Sequence, residues 1–192
     1  FGLPEDAFIL GYMGRLATEK QVDYLVRFVA EAAEKWPDLH LAVVGAGDLL
    51  PRLKEQAAQS PAAGRIHFLG YQKQPEKIYP LFDLHVLPSR FEAFALTIVE
   101  AAYCGVPSFR TDAEGAEDQI EDGRDGFVVA LSGGYEAFAS RLQEILSTHR
   151  NDLPSVGRAA REKCLGLFRL DTHLDAMDQL YRTLARRPVT EL

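Results

Sequence analysis

Apolar residues along this chain gather in short runs closed by Gly or Pro, and those runs alternate with longer stretches whose apolar positions recur every three or four residues. Residues 8–14 read as a buried strand and 21–35 as an amphipathic helix stopped at Trp36-Pro37. A second strand over 39–45 is followed by a helix over 48–59, with Asp48 as its cap and Ser60-Pro61 as its end. Residues 66–70 give a third strand, 75–82 a short helix interrupted by Pro80, and 84–87 a fourth strand ending at Pro88-Ser89. A helix over 94–103 ends at Gly105 and leads into a fifth strand over 106–111, and 126–130 is a sixth. Beyond it, 135–149, 153–167 and 171–186 are amphipathic helices with no strand between them, and no internal repeat is visible. Strands separated by helices of about 10–15 residues require crossover connections, so the fold class is α/β. The expected architecture is a doubly wound, mostly parallel, Rossmann-like six-stranded sheet with C-terminal helices. In the common 3-2-1-4-5-6 order, strands one and four are neighbours and ligands bind beyond their carboxyl ends.

Composition narrows the partners. The chain has 192 residues, 47% of them apolar and 26% charged, as in an ordinary globular domain. Lys plus Arg number 21 against 28 Asp plus Glu, a net charge of −7, and no basic stripe tracks a phosphate backbone. Nucleic acid is therefore not an expected partner. Cys104 and Cys164 form no Cys-x-x-Cys pair and no signal peptide is recognisable, so neither a zinc knuckle nor a disulfide framework is expected, and a reducing cytoplasm is the default. The apolar run over 39–46 falls far short of the ~18 residues that span a bilayer. No Met opens the chain and a strand follows almost at once, which reads as a domain cut from a longer protein.

The two loops at the expected crevice are polar. After strand one comes Gly14-Arg15-Leu16-Ala17-Thr18-Glu19-Lys20, and after strand four Pro88-Ser89-Arg90-Phe91-Glu92. Arg15 and Lys20 lie where a helix start offers free amides and a positive dipole end, an arrangement that fits a diphosphate; the other reading is surface cations beside Glu19. Glu92 and Glu100 stand eight residues apart, about 12 Å along a continuous helix. Carboxylates there accept hydrogen bonds from the paired hydroxyls of a ribose or hexose, or else act as a cap and a surface charge.

Together these residues resemble the C-terminal, donor-binding domain of GT-B glycosyltransferases, in particular the large retaining family 4. The resemblance covers nearly the whole chain. It rests on Gly14-Arg15-Leu16 with Lys20, on Val43-Val44-Gly45-Ala46-Gly47, and on Ile66-His67-Phe68-Leu69-Gly70. The most specific run is Asp83 with Val86-Leu87-Pro88-Ser89, then Glu92 and Glu100 seven residues between, then Glu100-Ala101-Ala102 and Cys104-Gly105-Val106-Pro107. Gly115 and the run Asp122-Gly123-Arg124-Asp125-Gly126-Phe127-Val128-Val129 are similar to the loop and strand that close the sugar side. The resemblance implies a nucleotide-diphosphate sugar, UDP- or GDP-linked, as donor. Arg15 and Lys20 would hold the diphosphate, Glu100 the ribose hydroxyls and Glu92 the hexose or its reacting end. The base would sit near Gly70, Tyr71, Gln72 and Lys73, with Gly14, Ser89, Ala93, Phe94, Ala95 and Leu96 also around the donor. It implies retaining front-face transfer without a protein nucleophile, in which Arg15, Lys20 and Glu92 are the catalytic group and stabilising the departing diphosphate is the main task. No cofactor is implied, and no metal, since two cations face the diphosphate and Asp-x-Asp is absent.

It further implies that residues 1–192 are the donor domain of a longer two-domain enzyme, whose missing N-terminal domain holds a glycan or lipid acceptor. The helices from about residue 153 would pack on this domain or toward the missing one, and Leu174, Met177, Leu180, Tyr181 and Leu184 read as a packing stripe. The longer protein is expected to be cytoplasmic or peripheral at the inner membrane face.

The chain departs from the family pattern in two places. Ala93 and Ala95 replace the glycines of Glu-Gly-Phe-Gly; positive φ at either would cost about 1–2 kcal/mol, so negative φ is expected at both. Glu114-Gly115-Ala116-Glu117-Asp118 replaces Gly-Gly-x-Pro-Glu. The histidines at 40, 67, 85, 149 and 173 show no metal-like spacing and read as structural, as does Cys104. A dinucleotide-binding dehydrogenase fails because Leu50 stands where the third Gly of the fingerprint belongs, and a P-loop NTPase fails because Gly-Lys-Ser/Thr never occurs. A nucleotide-sugar epimerase of similar architecture and a catalytically silent nucleotide-sugar-binding module remain open.

Overall fold

A computed structural model describes residues 1–185. Six strands, β1 (Phe8–Met13), β2 (Leu39–Val44), β3 (Ile66–Gly70), β4 (Leu84–Leu87), β5 (Ser108–Thr111) and β6 (Phe127–Val129), form one sheet in the order β3-β2-β1-β4-β5-β6. Every pairing is parallel. The order is the common doubly wound one, and it sets the carboxyl ends of β1 and β4 side by side.

The short apolar runs become central strands because both of their faces are covered. In β1, Phe8, Leu10 and Tyr12 enter one core with Leu25, Phe28, Leu41, Phe109 and Phe138, while Ile9 and Met13 enter a second with Val44, Tyr79, Phe82 and Ala101. Between them Gly11 has no alternative, since a Cβ there would lie 2.0 Å from the Phe82 ring. The connecting helices are α1 (Val22–Glu31), α2 (Leu50–Ala58), α3 (Leu96–Tyr103), α4 (Ala116–Gln119), α5 (Gly134–Glu144), α6 (Leu153–Leu167) and α7 (Leu170–Ala185). Alpha-helical α5 continues into a π-helical stretch, Ile145–His149, where the Ser147 and Thr148 hydroxyls donate to carbonyls four residues back.

Several local expectations are corrected. The segment expected as one helix over 75–82 is two 3-10 turns, Pro75–Lys77 and Tyr79–Leu81, because Pro75 and Pro80 restrict the residues before them and donate no amide. Asp48 caps nothing, as α2 starts after Leu49 with Pro51 in its first turn. α1 starts one residue late, with Gln21 held in the left-handed region at φ 47°. α3 begins at Leu96, so Glu92 lies in the preceding loop and the continuous helix expected between Glu92 and Glu100 does not exist. α4 had no expectation at all. In α6, Leu153, Val156, Gly157, Ala160 and Cys164 are buried, and Gly157 is packed so closely that a Cβ would stand 2.0 Å from the Gly105 carbonyl. The stripe on α7 does not pack: Leu174, Leu180, Tyr181 and Leu184 are exposed, and no residue of that helix is buried. The expected end of that helix at Arg186 lies outside the described residues.

The loops after β1, β2 and β3 are laced together by their backbones. The Gly14 amide donates to the Val44 carbonyl at 3.0 Å, Leu16 to Ala46 at 2.9 Å, Gly45 to Gly70 at 2.8 Å and Leu49 to Leu16 at 3.1 Å. A Cβ on Gly45, whose φ is 138°, would stand 1.8 Å from the Gly14 carbonyl, and one on Gly47 would stand 2.3 Å from that of Leu16. Gly45-Ala46-Gly47 is therefore a device for close loop approach. Gly45→Ala is expected to destabilise the fold by more than about 2 kcal/mol, whereas Gly64→Ala, where nothing lies within 4 Å of the new Cβ, should stay within about 0.5 kcal/mol. Urea titration of the two variants compares them directly.

Candidate functional site

The laced loops and the flank of α3 enclose a cleft of about 570 Å³ lined by Gly14, Arg15, Gly45, Tyr71, Gln72, Lys73 and Glu100. Six of the expected site residues thus meet in one concavity, at the carboxyl edge of the sheet where open α/β folds bind ligands. Tyr12, buried beneath, donates its hydroxyl to the Arg15 carbonyl at 2.8 Å. Burial first, and then the Glu92 and Glu19 carboxylates, push its pKa well above the usual phenol value, so it remains a donor. The Arg15 guanidinium is exposed and paired with Glu19. Gly70 turns the chain at φ 67°, the Gln72 amide holds the Leu69 carbonyl at 2.7 Å, and Tyr71 is left 74% exposed with its ring free to stack. Glu100, one turn into α3, accepts a 2.7 Å hydrogen bond from the Tyr79 hydroxyl.

Lys20 and Glu92 lie beside this cleft and do not line it. Lys20 ends the 3-10 turn Thr18–Lys20 and its Nζ donates to Glu92 Oε1 at 2.6 Å, with the two side chains only 19% and 10% exposed. The Arg90 amide donates to the Glu19 carbonyl at 2.7 Å, so the loops after β1 and β4 are tied by backbone as well as by charge. Ser89 is fully buried, its carbonyl accepting from the Thr111 hydroxyl, and its own Oγ has no partner. Phe94 and Leu96 are exposed beside Ala93, while Ala95 is buried with φ −76°. Gln21 is the sole non-glycine residue at positive φ among those described, so both alanines have the negative φ expected of them.

What holds the loop over 93–95 had no place in the sequence reading. Arg110, completely buried in β5, donates to the Thr111 carbonyl at 3.0 Å, the Ala113 carbonyl at 2.8 Å, the Glu114 carbonyl at 3.3 Å and the Gln119 side-chain oxygen. Gln119 in turn donates to the Ala95 carbonyl at 3.0 Å. Gly115 packs under the same loop, where a Cβ would approach the Ala93 carbonyl to 2.9 Å. Burial lowers the Arg110 pKa, opposed by the charges of Glu92 and Asp112. The one available signal was a lone Arg inside the apolar run over 106–111.

Two parts of the motif have other tasks. Asp83 accepts the Ile9 amide at 2.7 Å and so completes the ladder of β1. The run over 122–126 precedes β6 and lies at the amino edge of the sheet, away from the site, where Arg141 grips Asp122 and Lys163 grips Asp125. The expectation that this loop closes the sugar side is therefore corrected, because in a parallel sheet only segments that follow a strand reach the carboxyl edge. No group of three or more His, Cys, Asp or Glu side chains is placed to hold a metal ion among the described residues. His40 and His67 pair with each other at 3.0 Å and His85 with Ser108 at 3.1 Å.

A family model described as glycosyl transferases group 1 matches residues 1–163. The chain belongs to this family. The GtfA subunit of the UDP-N-acetylglucosamine–peptide N-acetylglucosaminyltransferase of Streptococcus pneumoniae is 30% identical over 150 residues, 74% of this chain and 30% of that protein. The lipopolysaccharide core biosynthesis glycosyltransferase LpsE of Rhizobium meliloti is 28% identical over 186 residues, 96% of this chain and 52% of that one. The chain thus spans about half or less of these relatives. Among solved structures, HepE of Anabaena with UDP and glucose superposes with a TM-score of 0.80 over 95% of this chain and 49% of its own, at 23% identity. Pneumococcal GtfA with UDP and GlcNAc gives 0.81 over 95% and 37%, at 25% identity. The fold is that of one Rossmann-like half of GT-B glycosyltransferases.

For this group 1 glycosyltransferase chain, Arg110→Leu is expected to cost about 3 kcal/mol or more, since several buried acceptors lose their donor at about 1–3 kcal/mol each. Urea denaturation reads the loss, and limited proteolysis at the exposed Phe91 and Phe94 should accelerate alongside it.

Proposed function

We propose that this chain is the donor-binding domain of a retaining, family 4 type glycosyltransferase, taking a UDP- or GDP-linked sugar. The observation that carries the reading is the single cleft in which a cation, an exposed aromatic ring and the Glu100 carboxylate converge at the carboxyl ends of β1–β3. That set matches the parts of a nucleotide sugar: Tyr71 to Lys73 for the base, Glu100 for the ribose hydroxyls and Arg15 for the diphosphate, with Lys20 beside the cleft as a second cation for the diphosphate. It is supported by the UDP complexes of the structural relatives. Epimerase chemistry is not favoured, as the relatives are glycosyltransferases.

Lys20 is held by Glu92, which keeps the ammonium oriented in a partly dry site and balances its charge. A diphosphate arriving at the mouth of the cleft competes with Glu92 for Lys20, and negative charge developing on the leaving phosphate strengthens that competition. Glu92 is thereby released next to the sugar as the reaction proceeds. No protein nucleophile is needed if the leaving phosphate accepts the acceptor proton on the same face. The acceptor, a glycan or lipid, is assigned to a further domain of a longer protein, with a metal-independent reaction at the cytoplasmic side. No helix of the described residues is long and apolar enough to cross a membrane.

Calorimetric titration tests the assignment with UDP, GDP and inorganic pyrophosphate. Lys20→Ala should weaken UDP and pyrophosphate alike by about 1.5–3 kcal/mol, the range for hydrogen bonds to charged groups. Glu100→Ala should weaken UDP and leave pyrophosphate unchanged, and EDTA should alter neither. A folded chain that binds none of the three ligands would refute the donor-domain reading, and inversion at the anomeric carbon by the longer enzyme would refute retention.

A further inference from the structure

We propose that Tyr79 is the positioning residue for Glu100, fixing that carboxylate so that it meets both ribose hydroxyls of the donor; this rests on the donor-site reading above. Tyr79 is completely buried, outside the cleft, and reaches it only through its hydroxyl, which donates to Glu100 Oε2 at 2.7 Å. Its ring is clamped from two directions. Phe82 meets it edge to face with centroids 5.9 Å apart and planes at 80°, and His85 does the same at 5.7 Å and 84°. His85 is itself fixed in the sheet by the Ser108 hydroxyl at 3.1 Å, and burial lowers its pKa to about 3, so the ring stays neutral against Tyr79. The backbone is set by the 3-10 turn Tyr79–Leu81, with Pro80 in its first turn.

The consequence is chemical as well as geometric. A glutamate on a half-exposed helix face samples several rotamers, and a carboxylate that must accept two vicinal hydroxyls works only in the few that aim it into the cleft. Burial and the adjacent carboxylate raise the Tyr79 pKa far above the phenol value, so the hydroxyl keeps its proton and donates it to Glu100. With Oε2 held by the phenol, Oε1 and the remaining lone pair of Oε2 are presented together to the diol. Tyr79 touches neither the donor nor the reacting atoms. Its effect is on selection for the 2′- and 3′-hydroxyls.

Tyr79→Phe keeps the ring, its two aromatic neighbours and the turn, and removes only the hydroxyl. The affinities of this chain for UDP, 2′,3′-dideoxy-UDP and inorganic pyrophosphate are measured for the unaltered chain, Tyr79→Phe, Glu100→Ala and the double variant. Tyr79→Phe should weaken UDP about five- to tenfold, or about 1–1.4 kcal/mol. It should bring the ratio of UDP to dideoxy-UDP affinity toward that of Glu100→Ala and leave pyrophosphate within about twofold. In the double variant it should add nothing to the loss already caused by Glu100→Ala. If Glu100→Ala loses the ratio and Tyr79→Phe retains it, or if Tyr79→Phe weakens all three ligands equally, the positioning role is overturned while the ribose assignment stands. If Glu100→Ala itself retains the ratio, the ribose assignment is overturned, and the role of Tyr79 with it.

Discussion

How closely three loops can approach one another at the carboxyl edge of the sheet governs the rest of this molecule. The Gly14 carbonyl occupies the space that any side chain on residue 45 would need, and four backbone hydrogen bonds close the gap between the loops after β1, β2 and β3. The result is a rigid wall built from main chain. From it Arg15, Tyr71, Gln72 and Lys73 project into the same cleft. The Gly14, Leu16 and Gly45 amides of that wall are already paired within it, and Glu100 faces it from α3.

The second constraint is electrostatic. In a chain with a net charge of −7, two of the cations at the site are partnered by carboxylates, Arg15 with Glu19 and Lys20 with Glu92. The Arg15 pair is exposed and its contribution to stability is small. The Lys20 pair is mostly enclosed, and separating it without a replacement anion is unfavourable. The pair therefore ties the loop after β1 to the loop after β4, alongside the Arg90–Glu19 backbone bond. Arg110 shows a different use of charge. Completely buried, it pairs with no carboxylate among the described residues and works as a multiple hydrogen-bond donor, joining β5, the turn at Gly115 and the loop at Ala95 into one support.

These two constraints converge on α3. Its first turn carries the loop that holds Glu92, and its next presents Glu100, oriented from behind by Tyr79. The far side of the helix packs on α6, where Gly157 sits against the Gly105 carbonyl. The apolar residues of α7, by contrast, contact no core of the described residues, and Phe91, Phe94, Leu96 and Tyr71 stand exposed around the site.

The alternation of apolar runs with helical periods determined the fold class, because strand burial and crossover handedness are dictated by local pattern, and the common doubly wound strand order then gave the edge of the sheet at which to look. Gly14 and Arg15 were legible as the polar loop after the first strand, whereas the roles given to Glu100 and to the segment from Gly70 to Lys73 came from the family resemblance. Sequence also excluded positive φ at Ala93 and Ala95, since the steric cost belongs to the residue itself. What it did not determine depends on contacts between distant segments. The break between Glu92 and α3, the capture of Lys20 by Glu92, the placement of the loop over 122–126 at the opposite edge, the support from Arg110 and the reach of Tyr79 to Glu100 all join residues with no local signature of their meeting. The glycines of the loop after β2 belong to both accounts. Sequence showed that they were there, and only the approach of the Gly14 carbonyl in space showed why nothing larger fits.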